Sequence, residues 1–368
     1  MNDAIRVIPN ASCAALLVAD AGPLPMWHDE AAVLPAVLPV LSVLADGVSR
    51  SRATLARAAG VSEAEAQSAL HLLADCGGAL RCSGDRVQWH AAFIPLNEEH
   101  IAGALGGSCA WHVRVAGVID STNSALLREA RGGVRFAAPR LLAAEVQRAG
   151  RGRQGRGWQS SPGASLTVSY GLPVARGIGA LSGLSLVCGL AVRDVLAARG
   201  VVAQLKWPND VLIAGKKLAG VLIEVHPLAA NASVVVVGVG INIAPLAPRE
   251  PDGNRAHDAG MNTTDLHSIG APRVDRNLLA IDLASVLAMR LARFEEDGFG
   301  AFQSEWNAAH AFRDRPVDLI EAGRALRTGI ARGVDAMGRL LLDTPAGAHA
   351  VLAGDVSLRP RPLTPAKI

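Results

Sequence analysis

The sequence predicts an α+β fold in three parts, and three local patterns carry this prediction. Helical patterns followed by a short hairpin predict a winged helix-turn-helix over residues 36–92. Alternating helical and strand patterns predict a mixed β-sheet backed by helices over residues 93–312. Short strands separated by glycines predict a small SH3-like barrel over residues 313–368. Residues 1–35 contain four prolines and no clear hydrophobic period, so they are predicted only as an extension whose order is left open.

The first part is predicted from helix caps and a turn. An apolar period that includes Leu41 predicts a first helix, and Ser51 is placed to cap a second. Ser62 and Glu65 have the spacing of a capping box for a third helix. A turn at Ser83–Asp85 then predicts a hairpin. This order of elements is typical of a winged helix-turn-helix.

The charge of this first part argues against tight DNA binding. Its third helix would enter the major groove, yet that helix contains Glu63 and Glu65 and no lysine or arginine. Over residues 36–92, five arginines are balanced by five acidic residues. Because neutralisation of phosphates dominates DNA affinity, DNA binding is predicted to be weak or lost.

The most distinctive motif is the loop Gly150–Trp158, which contains four glycines and three arginines. Glycines bring bare N–H groups close to a ligand, and arginines offer forked charged donors, so the loop suits phosphate or carboxylate. Three of the glycines also satisfy the dinucleotide pattern G-x-G-x-x-G, but Ser160–Gly163 follows where that motif needs a helix. Because Ser165–Tyr170 alternates like a half-buried strand, the loop is predicted to join two strands.

Three further segments place polar groups or glycines at the ends of elements. Asp120–Asn123 precedes the helical pattern Ser124–Ala130, where backbone N–H groups point outward. Lys206–Asp210 interrupts an apolar strand pattern, and Val234–Ile243 is typical of a buried strand whose glycines let a ligand approach closely. Taken singly, the first segment is also explained as a helix cap and Lys206 as a snorkelling lysine.

Together, five motifs in this order resemble those of biotin protein ligases of the BirA type. The motifs are Asp120–Asn123, Glu145–Trp158, Lys206–Asp210, Lys217–Gly220 and Gly238–Asn242. The resemblance implies that biotin and ATP, supplied with Mg²⁺, form biotinoyl-5′-AMP, which then acylates a lysine of a biotin carboxyl carrier protein. The expected carrier is a subunit of acetyl-CoA carboxylase.

The resemblance also implies the site residues. Lys206 and Arg153 would be catalytic, with Lys206 between the biotin carboxylate and the α-phosphate. The residues that would bind biotin are Ser121, Thr122, Asn123, Gln147, Arg151, Gly152, Arg153 and Lys206. The residues that would lie near the nucleotide or support the loop are Gly150, Gly155, Arg156, Trp158, Asn209, Asp210, Lys217, Gly240 and Asn242. No metal ligand from the protein is assigned, because Mg²⁺ arrives on the ATP phosphates.

One feature departs from the family pattern. Relatives often place an aromatic side chain after the Gly-Ile-Asn strand, where it stacks on adenine. Between Ile243 and Gly298, however, the only aromatic residue of this sequence is Phe294. The segment Pro245–Pro272 is instead rich in Pro, Gly, Asp and Asn, and is predicted to be a loop that folds over the nucleotide. The residue that contacts adenine is left open.

Composition agrees with a cytoplasmic enzyme and excludes some other classes. The net charge is +3, and five scattered cysteines, an odd number, indicate reduced thiols rather than a disulfide framework. No metal-ligand spacing of Cys or His is present, and no apolar run approaches a membrane span of about 20 residues.

Two alternative functions remain: a lipoate or octanoate ligase with the same adenylate chemistry, and a catalytically silent winged-helix regulator. Homodimer formation is also left open.

Overall fold

The computed structural model describes residues 35–90, 92–106, 111–134, 136–246, 263–272, 274–321, 324–352 and 356–361. Within these ranges the chain forms three β-sheets, of three, seven and five strands. All of the predicted extension 1–35 except Pro35 lies outside the described residues, and so does much of the predicted nucleotide loop, at 247–262.

The N-terminal unit has the predicted order of helices and hairpin. Its helices are α1 (Val37–Leu44), α2 (Arg52–Ala59) and α3 (Glu63–Asp75). Its strands are β1 (Arg50–Ser51), β2 (Leu80–Ser83) and β3 (Arg86–Trp89), in the antiparallel order β1-β3-β2.

Both predicted caps are confirmed. Ser51 Oγ accepts the backbone N–H of Thr54 at 3.2 Å, and Ser62 and Glu65 form a reciprocal capping box at the start of α3. The buried face of α2 contains Leu55 and Ala56.

The central sheet is mixed, as predicted, and has the order β4-β5-β6-β10-β9-β8-β7. Its strands are β4 (His112–Ile119), β5 (Arg140–Gln147), β6 (Ser165–Val174), β7 (Gln204–Lys206), β8 (Asp210–Ile213), β9 (Lys216–Ala229) and β10 (Ala232–Asn242). Strands β4 and β5 are parallel, and the other neighbours are antiparallel. The helices around this sheet are α4 (Glu98–Ala104), α5 (Thr122–Arg131), α6 (Leu184–Ala197), α7 (Arg276–Asp297) and α8 (Gln303–Ala309).

The two faces of the central sheet differ in chemistry. On β6, Leu166, Val168 and Tyr170 belong to the main hydrophobic core, together with α6 and α7. The alternate positions Thr167 and Ser169 are also buried, so the prediction of a half-buried strand was wrong. Their hydroxyls are hydrogen-bonded inside the protein, to Ala144 O and to the side chains of α5. Thr167 and Ser169 therefore face a cleft on the sheet rather than bulk solvent.

The N-terminal unit is continuous with the central sheet. Val118 of β4 and Val146 of β5 belong to the same hydrophobic cluster as Val37 and Leu41 of α1. A Cβ on Gly117 would lie 3.0 Å from the Leu38 side chain, so the absence of a side chain at 117 lets α1 approach β4 closely.

The C-terminal sheet is antiparallel and has the order β14-β13-β12-β11-β15. Its strands are β11 (Arg315–Glu321), β12 (Arg324–Val334), β13 (Leu340–Thr344), β14 (Gly347–Val351) and β15 (Val356–Pro360). Short strands were predicted for this region, but no pattern marked β15, because five residues ending in proline are a weak strand signal. Trp207 Nε1 donates to Gly338 O at 3.2 Å and joins this sheet to the central one. None of the described helices is long and apolar enough to cross a membrane.

Candidate functional site

The predicted site residues converge on a cleft on the polar face of the central sheet. Strands β6, β9 and β10 form its floor, and the start of α5, the loop Gly150–Trp158 and the β7–β8 turn form its walls. The predicted residues that line it are Ser121, Thr122, Asn123, Gln147, Arg151, Gly152, Arg153, Arg156, Trp158, Lys206, Asn209, Asp210, Lys217 and Gly240.

Three predicted residues, Gly150, Gly155 and Asn242, do not line the cleft but support the segments around it. Gly150 O accepts the backbone N–H of Trp158 at 2.9 Å and closes the base of the loop. Gly155 takes a φ of 68° within the loop turn, a conformation that favours glycine. Asn242 Nδ2 donates to Thr264 O at 3.0 Å, so it fixes the end of β10 to the segment that follows it.

The start of α5 forms a buried hydrogen-bonded wall. Ser121 is the N-cap, and its Oγ accepts the N–H of Ser124 at 3.4 Å. The backbone N–H and the hydroxyl of Thr122 lie 2.8 and 3.1 Å from Gln147 Oε1. Because a backbone N–H can only donate, this oxygen must face Thr122, and the NH₂ of Gln147 is turned away from it.

Glycines on β10 make room for protein side chains. A Cβ on Gly238 would lie 2.4 Å from Asn123 Oδ1, and one on Gly240 would lie 2.3 Å from the Trp158 ring. The prediction that these glycines admit a ligand directly was therefore incomplete, although both also line the cleft. Asn123 and Trp158 pack against the floor of the cleft at these two glycines, and their side chains define the volume that a ligand can occupy.

The arginine loop joins β5 to β6, as predicted. It folds back on itself, because Arg151 and Gly157 form an isolated β-bridge and Gly152 N donates to Arg156 O at 2.7 Å. Arg151 Nη1 lies 2.9 Å from Glu224 Oε2, and Arg153 Nη1 lies 3.3 Å from Asn209 Oδ1. Two of the loop's guanidinium groups are thus held by groups on the sheet and on the β7–β8 turn.

Lys206 and Lys217 share one buried carboxylate. Lys206 Nζ lies 3.0 Å from Asp210 Oδ2, and Lys217 Nζ lies 2.7 Å from Asp210 Oδ1. Burial alone would raise the pKa of Asp210, but the two ammonium groups hold that pKa below its usual value. Among the described residues that line the cleft, five side chains are cationic and one, Asp210, is a carboxylate, so the cleft suits a carboxylate and a phosphate.

Sequence reasoning missed several residues that build the site. Glu224 binds both Asn123 and Arg151, and its only signal was a lone acidic residue in an apolar strand. Ser169 joins Thr122 to Asn123, a contact that depends on α5 packing over β6 and that no local pattern marked. Ser357 reaches the cleft from the C-terminal sheet, and no local pattern marked it.

Comparison with known proteins agrees with this geometry. Residues 115–242 match the Biotin/lipoate A/B protein ligase family, and residues 314–359 match the Biotin protein ligase C terminal domain. The bifunctional ligase/repressor BirA of Escherichia coli is 34% identical over 328 residues, which cover 88% of this chain and 97% of that protein. The biotin–acetyl-CoA-carboxylase ligase of Mycobacterium tuberculosis is 35% identical over 269 residues, which cover 71% and 95%.

A solved structure leads to the same assignment. The biotin protein ligase from Aquifex aeolicus in complex with biotin and ATP superimposes with a TM-score of 0.56 and 28% identity, covering 68% of this chain and 99% of that one. The family matches, the near-full-length similarity to curated relatives and the shared fold all agree. The chain belongs to the biotin protein ligase family.

Proposed function

We propose that this ligase makes biotinoyl-5′-AMP from biotin and ATP and then transfers biotin to a lysine of a biotin carboxyl carrier protein. The observation that carries the proposal is the position of Lys206, buried in a cleft beside a helix start and an arginine loop. These groups are fixed donors aimed into one space, as a reaction that builds negative charge requires.

In the first step, a biotin carboxylate oxygen attacks the α-phosphorus of ATP, and the bond to the leaving pyrophosphate breaks. Lys206 would lie between the carboxylate and the α-phosphate, where its charge offsets their repulsion and stabilises the transition state. Arg153, held by Asn209 beside the same turn, would add a second cation. No covalent bond to the enzyme forms, so no nucleophilic serine or cysteine is needed.

The polar wall would bind the biotin ring. The NH₂ of Gln147 is turned away from Thr122 by the bonds on its oxygen, which supports a contact with the ligand. Ser121, Thr122 and Asn123 complete this side of the cleft, with Arg151 and Gly152 above it. Buried donors and acceptors in fixed positions would select an acid with a matching polar ring.

The other end of the cleft would bind the nucleotide. Trp158 offers an aromatic surface there, and Lys217 Nζ lies 5.6 Å from the centre of its ring. Gly150, Gly155, Arg156 and Asn242 would support the loop and strand ends around it. Mg²⁺ would enter with ATP, held mainly by phosphate oxygens, because Asp210 is already bonded to two lysines.

In the second step, the amine of the carrier lysine attacks the biotinoyl carbonyl carbon, AMP leaves, and the amine loses a proton as the amide forms. The arginine loop would cover the adenylate and keep water from hydrolysing it. The carrier is proposed to be the biotin carboxyl carrier subunit of acetyl-CoA carboxylase, by analogy with the name of the Mycobacterium tuberculosis relative. The free thiols Cys82 and Cys188 support a reducing, cytoplasmic location.

We assign the domains as the extension 1–35, a winged helix-turn-helix at 36–92, the catalytic domain at 93–312 and an SH3-like domain at 313–368. The three helices and three-stranded sheet of the N-terminal unit support the winged-helix assignment. The repressor role in the name of the Escherichia coli relative favours a second function in DNA binding. We propose that the affinity of this chain for DNA is weak, since Glu63 and Glu65 begin α3.

A pyrophosphate-release assay with a panel of acids tests the proposed reaction. Release that depends on biotin, with little from lipoate or octanoate, is the expected result. Release with lipoate or octanoate instead would assign the chain to the sister ligases, and no release with any acid would favour a catalytically silent winged-helix regulator.

A gel-shift assay with a biotin-operon promoter, at moderate salt and with competitor DNA, tests the proposed function in DNA binding. Tight binding would contradict the weak affinity proposed here.

A further inference from the structure

Glu224 on β9 is not one of the described residues that line the cleft, yet it contacts two that do. Its Oε2 accepts from Asn123 Nδ2 at 3.0 Å and from Arg151 Nη1 at 2.9 Å. Asn123 belongs to the first turn of α5, and Arg151 belongs to the arginine loop. A single carboxylate oxygen on the sheet therefore joins a helix and a loop that are separate in the sequence.

This contact is the outer end of a continuous hydrogen-bond chain beneath the cleft. Asn123 Oδ1 accepts from Ser169 Oγ at 2.8 Å, and the Ser169 and Thr122 hydroxyls lie 2.7 Å apart. The backbone N–H of Thr122 in turn donates to Gln147 Oε1 at 2.8 Å. Because each member fixes the orientation of the next, the position of Arg151 is coupled to that of the Gln147 amide.

The charges around Glu224 favour this arrangement. Arg151 is one of three arginines in a loop that faces Lys206 and Lys217, so like charges oppose the folded loop before an anion binds. The Glu224 side chain is 18% exposed, so its charge is less screened than that of a surface carboxylate. Arg151 Nη1 also lies 3.2 Å from Ser124 Oγ, which holds the guanidinium over the start of α5.

We propose that Glu224 is a positioning residue that holds Arg151 against α5 and so shapes the biotin end of the cleft. The inference rests on the proposed function. A loop that is already ordered loses less conformational entropy when a ligand binds, so the ligand binds more tightly. Glu224 therefore acts on the binding of biotin and on retention of the adenylate, and not on the charge that Lys206 supplies to the chemistry.

The test compares Glu224→Ala and Glu224→Gln with His226→Ala as a matched control. His226 lies two residues along β9, on the same face, and does not line the cleft within the described part of the chain. Glu224→Gln keeps the length and one acceptor oxygen but loses the charge. Steady-state pyrophosphate release gives KM for biotin, KM for ATP and kcat. Trypsin cleavage of the ligand-free protein after the loop arginines reports directly on loop order, with the fragments identified by mass spectrometry.

Glu224→Ala is expected to raise KM for biotin about 10-fold and to leave kcat within about 2-fold, because the charge-assisted bond that orders the loop is lost. Loop cleavage by trypsin should be several-fold faster, Glu224→Gln should lie between the alanine variant and wild type, and His226→Ala should match wild type. Unchanged biotin KM and unchanged cleavage in both Glu224 variants would overturn the proposal, as would a loss of kcat alone.

The cleavage assay also separates this inference from the proposed function. If wild type released no pyrophosphate with biotin, the proposed function would fail, while faster cleavage in the Glu224 variants would still support the contact with Arg151. If Glu224→Ala did not fold, the near-isosteric Glu224→Gln would decide the question by the same two measurements.

Discussion

Lys206 Nζ lies 3.0 Å from Asp210 Oδ2, and both side chains are buried. The two residues pair across the turn between β7 and β8, in register in the sheet. Because Lys217 binds the other oxygen of the same carboxylate, Asp210 fixes two cations at the mouth of one turn. This arrangement lets a flexible lysine act from a defined position.

Asp210→Asn should therefore weaken both the reaction and the fold. Two ammonium groups would lose the carboxylate that they share, and breaking a buried ion pair in this way costs about 3–5 kcal/mol. We expect pyrophosphate release to fall by about 10- to 100-fold, as for the loss of a positioned electrostatic group. Chemical denaturation and the release assay measure the two effects. Asp297→Asn is the control, because its pair with Arg293 is exposed and should change stability by less than about 1 kcal/mol.

Gly240→Ala should displace Trp158 from the floor of the cleft. The new Cβ would lie 2.3 Å from the indole ring, so the ring must move away from its seat on β10. We expect KM for ATP to rise by about 10-fold or more, since a misplaced group loses binding energy. Gly179→Ala is the matched control, because its Cβ would meet nothing within 4 Å. An unchanged KM for ATP in Gly240→Ala would remove Trp158 from the nucleotide site.

The ion pair between Glu145 and Arg276 should support the fold beneath the site. Its two N–O distances are 2.7 and 2.9 Å, the side chains are 0% and 2% exposed, and Glu145 also accepts the N–H of Leu96. Glu145→Gln leaves a buried guanidinium without its counter-charge, and should destabilise the protein by about 3–5 kcal/mol. A double-mutant cycle with Arg276→Met, read by urea denaturation, should show strong coupling. Additive effects would mean that the two residues act independently.

Glu129 should make stability depend on pH near neutrality. Burial raises the pKa of Glu129 to about 7, and the neighbouring Arg140 opposes that shift without cancelling it. Between the ordinary pKa of 4.5 and about 7 the folded state keeps the proton and the unfolded state does not. The contribution of Glu129 therefore falls as pH rises through this window and is level above it. Thermal melting from pH 5 to 8 should show a shallower fall for Glu129→Gln than for wild type.

Local patterns were sufficient for most elements of the fold. The Ser62–Glu65 capping box and the buried run of β10 are signals set by neighbouring residues, and both predictions were confirmed. The burial of Thr167 and Ser169 was not predictable from alternation, because it depends on α5 packing over that face. The motifs predicted which residues would line one cleft, and motif residues as far apart in the sequence as Gln147 and Lys206 both line it.

The parts of the site that could not be predicted depend on contacts between distant segments. Glu224 and Ser357 lie in different sheets, and only the folded chain brings them near Arg151 or the cleft. Similarly, the need for glycine at 238 arises from the Asn123 side chain, which lies more than a hundred residues earlier. Residues that are neighbours in the sequence do not indicate such long-range packing.

The central claim is that Lys206 serves the activation of biotin, and biotin-dependent pyrophosphate release by wild type and Lys206→Ala tests it most directly. Lys216→Ala, an exposed lysine on β9, is the control. The account predicts release by wild type and by Lys216→Ala, and a loss of about 100- to 1,000-fold in Lys206→Ala with the fold intact. Release by Lys206→Ala at the wild-type rate would contradict it.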